Sequence, residues 1–371
     1  MMWAISISTL ACLYFIGVLI LLYNWRKIKD NNIVLPSMDK VSIVIAFRNE
    51  AKQLPVLLRA ISIQNYPINS LEVILVNDHS EDNFEGIISA INLPFKLKVL
   101  SLSVGERGKK AALSKGIHVA EGEWILTSDA DCSMGNEWVS SMMSHAKNHG
   151  AQFVFGPVCF RQQGNFKYDF QSIELSSLIG SGAALWRMAY PTMCNGANLL
   201  YKKSLVQDKN VYEQNNQLAS GDDEFLMHKV FLEQARDVSF IKSKKALVET
   251  EASETWAEFF QQRKRWASKW GAYQLFHVKL IAMMVFLFNV AYVLLPFVLL
   301  MLENLMPWVL IAYLLRWLID AIFLKEILCF YDKRFNLVSY VKLAIVYPYY
   351  VVLSGLAGRM GKYQWKGRTV S

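Results

Sequence analysis

Residues 123–133 read EWILTSDADCS. The run Trp124 to Thr127 has the length and composition of a buried strand, and two aspartates one residue apart, Asp129 and Asp131, follow it. In extended chain, residues i and i+2 project to the same face, about 6.5–7 Å apart. At an effective dielectric of about 20, two carboxylates at that separation repel by about 2–3 kcal/mol. A cation between or above them is the expected compensation.

Upstream, strand-like and helix-like segments alternate. VSIVIAF (41–47) is a continuous apolar run, and after it Leu54, Leu57, Leu58 and Ile61 recur at helical spacing. LEVILVND (71–78) is the next strand, followed by a short helix over about 82–90, the strand FKLKVLSL (95–102) and the helix GKKAALSKGIHVA (108–120). Such alternation predicts an α/β domain over residues 40–254, with a largely parallel sheet and helices on both faces. Ligands of such sheets bind beyond the carboxyl ends of the strands. That rule selects Arg48, Asn49 and Glu50 after the first strand, Asp78 and Ser80 after the second, Gly105 to Lys110 after the third, and Asp129 and Asp131 after the fourth. Neither GxGxxG nor GxxxxGK[ST] occurs, so dinucleotide redox chemistry and P-loop hydrolysis lack their usual signatures.

ERGKKAALSKG (106–116) sets Lys109 and Lys110 at a helix start, where a phosphate is favoured, although a solvated lysine pair has the same pattern. Beside paired aspartates, a diphosphate with a divalent cation explains both features, and oxygen ligands favour Mg²⁺ or Mn²⁺. ASGDDEFLMHKV (219–230) places Asp222, Asp223 and Glu224 at the start of another helix, where acids also interact favourably with the helix dipole. TWAEFFQQRKRWASKWG (255–271) is an amphipathic helix whose aromatic residues suit a membrane interface and whose arginines suit phosphate.

The net charge is +8, but the basic residues form no stripe with interleaved aromatics, which argues against nucleic acid. They flank apolar runs instead, as in NWRKIK (24–29), QQRKRWASKW (261–270) and GRMGKYQWKGR (358–368). Ala4–Tyr23 is uncharged and long enough to cross a bilayer. It lacks the basic start and small-residue cleavage site of a secretory signal, so residues 1–24 are expected to be an uncleaved anchor with a cytoplasmic C-terminal end. Leu280–Leu302 and Met306–Leu324 are two further spans, the latter carrying Arg316 and Asp320 on one helical face. Those two form an ion pair between helices or serve a substrate. Leu343–Gly358 is only sixteen residues long and contains Pro348. A full fourth crossing would leave the basic tail 359–371 outside, so a re-entrant or interfacial segment is expected within the 280–358 region. Five scattered cysteines imply neither a disulfide framework nor a metal site.

The ordered set RNE, VNDHS, GKKAALSKG, SDAD, SGDDEF and QRKRW resembles the family 2 inverting glycosyltransferases of GT-A fold, the broad group of cellulose synthases, hyaluronan synthases and ceramide glucosyltransferases. The resemblance covers residues 40–271, and WKGR (365–368) is similar, more loosely, to the ceramide-glucosyltransferase-like members. It implies a hexosyltransferase-type enzyme in the membrane of the cell, with a cytoplasmic GT-A (Rossmann-like, mostly parallel sheet) domain, an interface helix at 255–275 and transmembrane helices. It also implies a nucleotide-diphosphate sugar donor, a UDP-sugar foremost, and a lipid or glycan acceptor, with Mn²⁺ or Mg²⁺. Asp78 would hold the uracil or ribose, and Lys109 would lie near the donor. Asp129 would face the ribose and sugar, and Asp131 the metal. Asp223 would be the general base. Asp222, Gln262, Arg263, Arg265 and Trp266 would lie near the diphosphate and acceptor, and Asn195 to Lys203 would line the acceptor site. Asp222 stands where glutamate is commoner in the family, and Asn77 where many members have a second aspartate. The alternatives are a processive polysaccharide synthase and, from another class, a non-enzymatic membrane scaffold or transporter accessory.

Overall fold

The computed structural model describes residues 2–29, 37–162, 164–207, 222–358, 363–365 and 368–370. The chain forms two compact units. A helical unit combines Met1–Ile28, Gln162–Thr192 and Ser253–Tyr363, and a sheet unit combines Lys29–Arg161, Met193–Ala252 and Gln364–Ser371. In chain order, helix α1 (Met2–Lys27) precedes β1 (Val41–Phe47), α2 (Leu54–Ser62), β2 (Leu71–Asn77), α3 (Phe84–Ser89), β3 (Lys96–Ser101), α4 (Gly108–Val119) and β4 (Trp124–Thr127). Next come β5 (Ser133–Met134), α5 (Trp138–His149), β6 (Phe153–Phe155), β7 (Val158–Phe160), α6 (Phe166–Arg187), β8 (Leu199–Lys202), α7 (Ser204–Gln207) and α8 (Asp222–Glu233). Strands β9 (Val238–Phe240) and β10 (Val248–Thr250) then lead to α9 (Trp256–Ala267), α10 (Phe276–Met301), α11 (Met306–Phe330) and α12 (Leu337–Ala357).

The central sheet has seven strands in the order β3-β2-β1-β4-β8-β6-β9. All are parallel except β8, which runs against both β4 and β6. The apolar runs explain the arrangement: β2 is buried along its whole length, as a parallel strand covered by helices on both faces must be. At the edge, β3 carries Lys96 and Lys98, charges that discourage pairing with another chain. Register aligns the carboxyl ends. Phe47 stands opposite Asn77 and Asn77 opposite Ser101, and the ladder continues with Asp78 N donating to the Phe47 carbonyl at 2.8 Å. The strand order reverses between β1 and β4, the switch point where α/β sheets open a crevice. A three-stranded sheet, β5-β10-β7, lies in the same unit.

The sheet unit is thus the expected α/β domain with a mostly parallel sheet, with one difference. The predicted span 40–254 is interrupted, because residues 162–192 cluster with the helices. Phe170 and Ile173 of α6 are buried with Phe259 of α9, Leu324 and Leu328 of α11, and Tyr340, Leu343 and Tyr350 of α12. This aromatic core holds α6 in the helical unit.

Among the described residues, four helices are long and apolar enough to cross a membrane: Trp3–Lys27, Phe276–Leu299, Met306–Phe330 and Leu337–Ala357. The last differs from the expectation of a short segment. The helix starts at Leu337, where Asn336 accepts from the amides of Val338 and Ser339, and it continues through Pro348 for 21 residues. Arg316 and Asp320 pair at 3.6 Å within α11 rather than between helices. Tyr14 of α1 donates to both Asp320 oxygens at 2.9 and 3.0 Å, and Arg316 donates to Asn289 of α10 at 2.8 Å. A charge pair shielded from lipid on three helices avoids the cost of bare ions in hydrocarbon. The described parts of the tail are two paired short strands, Tyr363–Trp365 and Arg368–Val370, and Lys366 and Gly367 of WKGR lie outside the described residues.

Candidate active site

The loops after β1 and β2 are knitted together. Arg48 is buried, and its guanidinium donates to the carbonyls of Asp78 (2.9 Å) and His79 (2.5 Å) and pairs with Glu81 at 3.0 Å. Asn49 donates its backbone N–H to the Ser80 hydroxyl, and its side-chain carbonyl accepts from the Glu81 amide, at 2.9 and 2.8 Å. The structure uses Arg48 and Asn49 to shape the loop, with Arg48 buried and Asn49 exposed beyond the strand end. The Glu50 carbonyl accepts from the Gln53 and Leu54 amides that begin α2. Asn49 and His79 take left-handed backbone (φ 55° and 52°), and those turns bring the two loops side by side. Asn77, the departure from the family pattern, accepts from Ser80 N at 2.8 Å and donates to Ser101 Oγ at 3.2 Å.

Asp78 is 1% exposed, and its Oδ2 accepts from the Gly108 amide at 3.1 Å. Gly108 has φ +92°, which only glycine adopts without strain, and begins α4. A carboxylate from the end of β2 thus sits at the amino end of α4, where the helix dipole favours negative charge. One residue on, Lys109 projects to Asp129 and forms an ion pair with its Oδ1.

Strand β4 stops at Thr127, so the two aspartates do not share a strand face as their spacing suggested. They lie on a turn closed by Cys132 N to the Asp129 carbonyl at 3.2 Å, before β5 begins. Both are half-buried. The buried Cys132 thiol contacts Asp131 Oδ1 at 3.8 Å, and burial first, then the charges of Asp129 and Asp131, push its pKa well up. It is a neutral packing group.

Gly196 ties the site to Asp223. Its carbonyl accepts from Thr127 Oγ1 and its amide donates to Asp223 Oδ2, each at 2.9 Å. The other Asp223 oxygen accepts from Glu224 N at 2.9 Å, so the carboxylate is fixed at the start of α8. A Cβ on Gly196 would lie 3.3 Å from Lys109 Nζ and 3.4 Å from Asp223 Oδ2. Cation, carboxylate and bare backbone therefore meet at one point. A small cavity beside it is lined by Leu113, Thr127, Gly196, Leu199, Tyr201, Asp223 and Leu226. Asp222 opens α8, but its side chain lies outside the described residues, as do Ser220 and Gly221. Glu106, Gly105 and Lys110 flank Lys109 in sequence, and Glu106 caps its own turn by accepting from Ser103 N.

Helix α9 carries QRKRW in the helical unit, capped by the reciprocal Thr255–Glu258 bonds. Arg263 is engaged internally. Its Nε donates to Glu174 Oε1 at 2.8 Å, its Nη2 pairs with Glu174 Oε2, and its Nη1 donates to Gln262 Oε1. This differs from the expected diphosphate contact, since Arg263 is buried and its donors face protein acceptors. Arg265 and Trp266 are half-buried. Sequence patterns carry no signal for Thr127 in this arrangement, and Gly196 enters only through the Asn195 to Lys203 segment of the family resemblance. A lone acid in the small and apolar run SIELSSLIGSG is the one available hint for Glu174.

The match to the family model described as Glycosyl transferase family 2 is confined to residues 42–208. The chain is 25% identical over 188 residues to "Glycosyltransferase AglE" of Haloferax volcanii, covering 49% of this chain and 58% of that protein. It is 29% identical over 173 residues to "Poly-beta-1,6-N-acetyl-D-glucosamine synthase" of Staphylococcus epidermidis, covering 46% and 41%. The chain thus spans about half the length of the curated relatives it matches. The solved "Mannosyltransferase PcManGT from Pyrobaculum calidifontis in complex with GDP-Man and Mn2+" shares the fold with a TM-score of 0.54 at 16% identity, over 95% of this chain and 99% of that one. The domain therefore has the GT-A fold that the sequence motifs implied.

Proposed function

We propose that the chain is a membrane-bound, inverting glycosyltransferase that moves a sugar from a nucleotide-diphosphate donor to a hydroxyl of a lipid-linked or membrane-associated acceptor. The meeting of Lys109, Asp129 and Asp223 around Gly196, beyond the sheet's switch point, carries this reading. Asp78 and the knitted loops form a floor for the nucleoside, and Asp129 accepts from ribose or sugar hydroxyls. Lys109 releases Asp129 to meet a phosphate oxygen as the donor enters. The fork of an arginine guanidinium suits a diphosphate, and the family resemblance assigns Asp222, Gln262, Arg265 and Trp266 to the diphosphate and acceptor.

A divalent ion fits this donor set. Among the described residues no cluster of three or more histidine, cysteine or acidic side chains forms a protein-made cage. An ion such as Mg²⁺ or Mn²⁺ needs only one or two carboxylates when substrate phosphates and water complete its shell, and Asp131 would supply one. When bound, the ion neutralises charge on the departing nucleoside diphosphate. Asp223 accepts the proton of the acceptor hydroxyl as that oxygen attacks the anomeric carbon opposite the leaving group. One displacement inverts the anomeric centre and needs no covalent sugar–enzyme intermediate.

Four helices able to cross a bilayer, with arginine and lysine at the end of the first, support a membrane location with the sheet unit on the cytoplasmic side. A processive synthase is the second reading, favoured by the similarity to the poly-N-acetylglucosamine synthase. The test feeds membranes containing the protein with UDP-glucose, UDP-N-acetylglucosamine and GDP-mannose, and follows products by mass spectrometry. A single sugar on a lipid supports the first reading, and a polymer supports the second. No metal-dependent product with any donor refutes both.

A further inference from the structure

The clamp around Arg263 is more than a buried ion pair. Glu174 and Arg263 are each 4% exposed, and Tyr350 of α12 donates its hydroxyl to Glu174 Oε1 at 3.1 Å. The rings of Phe259 and Trp266 lie over the guanidinium, 4.4 and 4.2 Å from it. Phe259, Arg263 and Trp266 recur at i, i+4 and i+7, one face of α9. At about 100° per residue, Trp266, Gln262 and Arg265 follow one another round the flank of that face. The roll of the helix about its axis therefore decides where Arg265 and Trp266 point. Phe259 packs in the buried aromatic cluster without directional bonds, whereas the two-oxygen Glu174–Arg263 contact is directional and sets the orientation of α9.

We infer that Glu174 is a positioning residue for the QRKRW helix: acting through Arg263, it fixes the roll of α9 and so the direction in which Arg265 and Trp266 project. The inference rests on the proposed contact of Arg265 with the donor diphosphate. Glu174 and Arg263 are 89 positions apart in the chain, so only the fold couples them.

The full chain in detergent with Mn²⁺ is titrated with UDP and with UMP, which share a nucleoside but differ by one phosphate. Glu174→Gln should lower UDP affinity about tenfold, the scale of one charge-assisted hydrogen bond, while UMP affinity holds. Glu174→Gln should add nothing further in an Arg265→Gln background. Glu174→Asp keeps the charge but retracts the carboxylate by one methylene, and it should also lose UDP preference. Equal losses for UDP and UMP, a fall in bound stoichiometry alone, or full additivity with Arg265→Gln would overturn the inference. If Arg265→Gln removes the UDP preference and both Glu174 variants retain it, the inference alone fails. If the unaltered chain binds no UDP, or Arg265→Gln retains the preference, the proposed diphosphate contact fails and the inference with it.

Discussion

Gly196 leaves room where any other residue would place a methyl group between Lys109 Nζ and Asp223 Oδ2. Gly196→Ala should displace one of the two by a few tenths of an ångström and lower turnover by about tenfold or more, because catalytic geometry is sensitive on that scale. Unchanged kcat in the folded variant would show that the two groups need not share this point. Asp223→Asn keeps one acceptor oxygen for the Gly196 or the Glu224 amide, gives up the other bond, and removes the proton acceptor. Its kcat should fall by about 10²–10⁴-fold while UDP binding with Mn²⁺ persists, as read by transfer assay and calorimetry side by side. At this scale the sequence is informative where chemistry names the residue. Asp129, Asp131 and Lys109 stand out by type and by position after strands. It says less where a side chain serves the protein itself: Arg48 is selected by its place after a strand and Arg263 by the QRKRW motif, yet folding turns both toward internal acceptors. No spacing rule foretells that partner.

Strand β2 also anchors the sheet at the end remote from the site. Burial alone would raise the Glu72 pKa, but bonds from Ser42 Oγ and Glu121 N, both at 2.5 Å, and Lys98 at 3.1 Å lower it below the ordinary carboxylate value. A carboxylate depressed in the folded state stabilises above its unfolded pKa and loses that contribution as pH falls through the folded value. Stability should therefore decline as pH drops below the ordinary carboxylate range. Glu72→Gln should cost about 1–3 kcal/mol at neutral pH and flatten that acid limb in denaturation curves. In the helical unit, Asp320→Ala would strand Arg316 among α1, α10 and α11 and should destabilise by about 3–5 kcal/mol, seen as a lower melting temperature in detergent. Continuous apolar runs and clear helical spacing are legible, as β1, β2 and α2 illustrate. The start of α12 is not: Lys342 makes its first turns look polar, while the Asn336 cap that begins the helix lies before the apolar run.

For the whole molecule, alternation of strands and helices reveals the α/β class, and apolar length reveals three of the four described helices that are long enough to cross a membrane. What stays hidden is the interruption of the sheet unit by α6, because a helix with buried Gln171, Glu174 and Ser176 has no simple apolar signature. Removal of divalent ions with a chelator should abolish UDP binding, and added Mn²⁺ should restore it. Binding that survives chelation would leave the charge of the diphosphate to Lys109 and arginine alone.

The detour of residues 162–192 has a consequence for how the protein is made. Strands β1 to β4 leave the ribosome first, but β8, which pairs with β4 and β6, is synthesised only after α6. The nascent sheet must therefore wait, half complete, with one flank of β4 bare. A shortened version spanning residues 40–252 would retain α6 without its aromatic neighbours and should precipitate, whereas one in which a short flexible bridge replaces 162–192 should stay in solution.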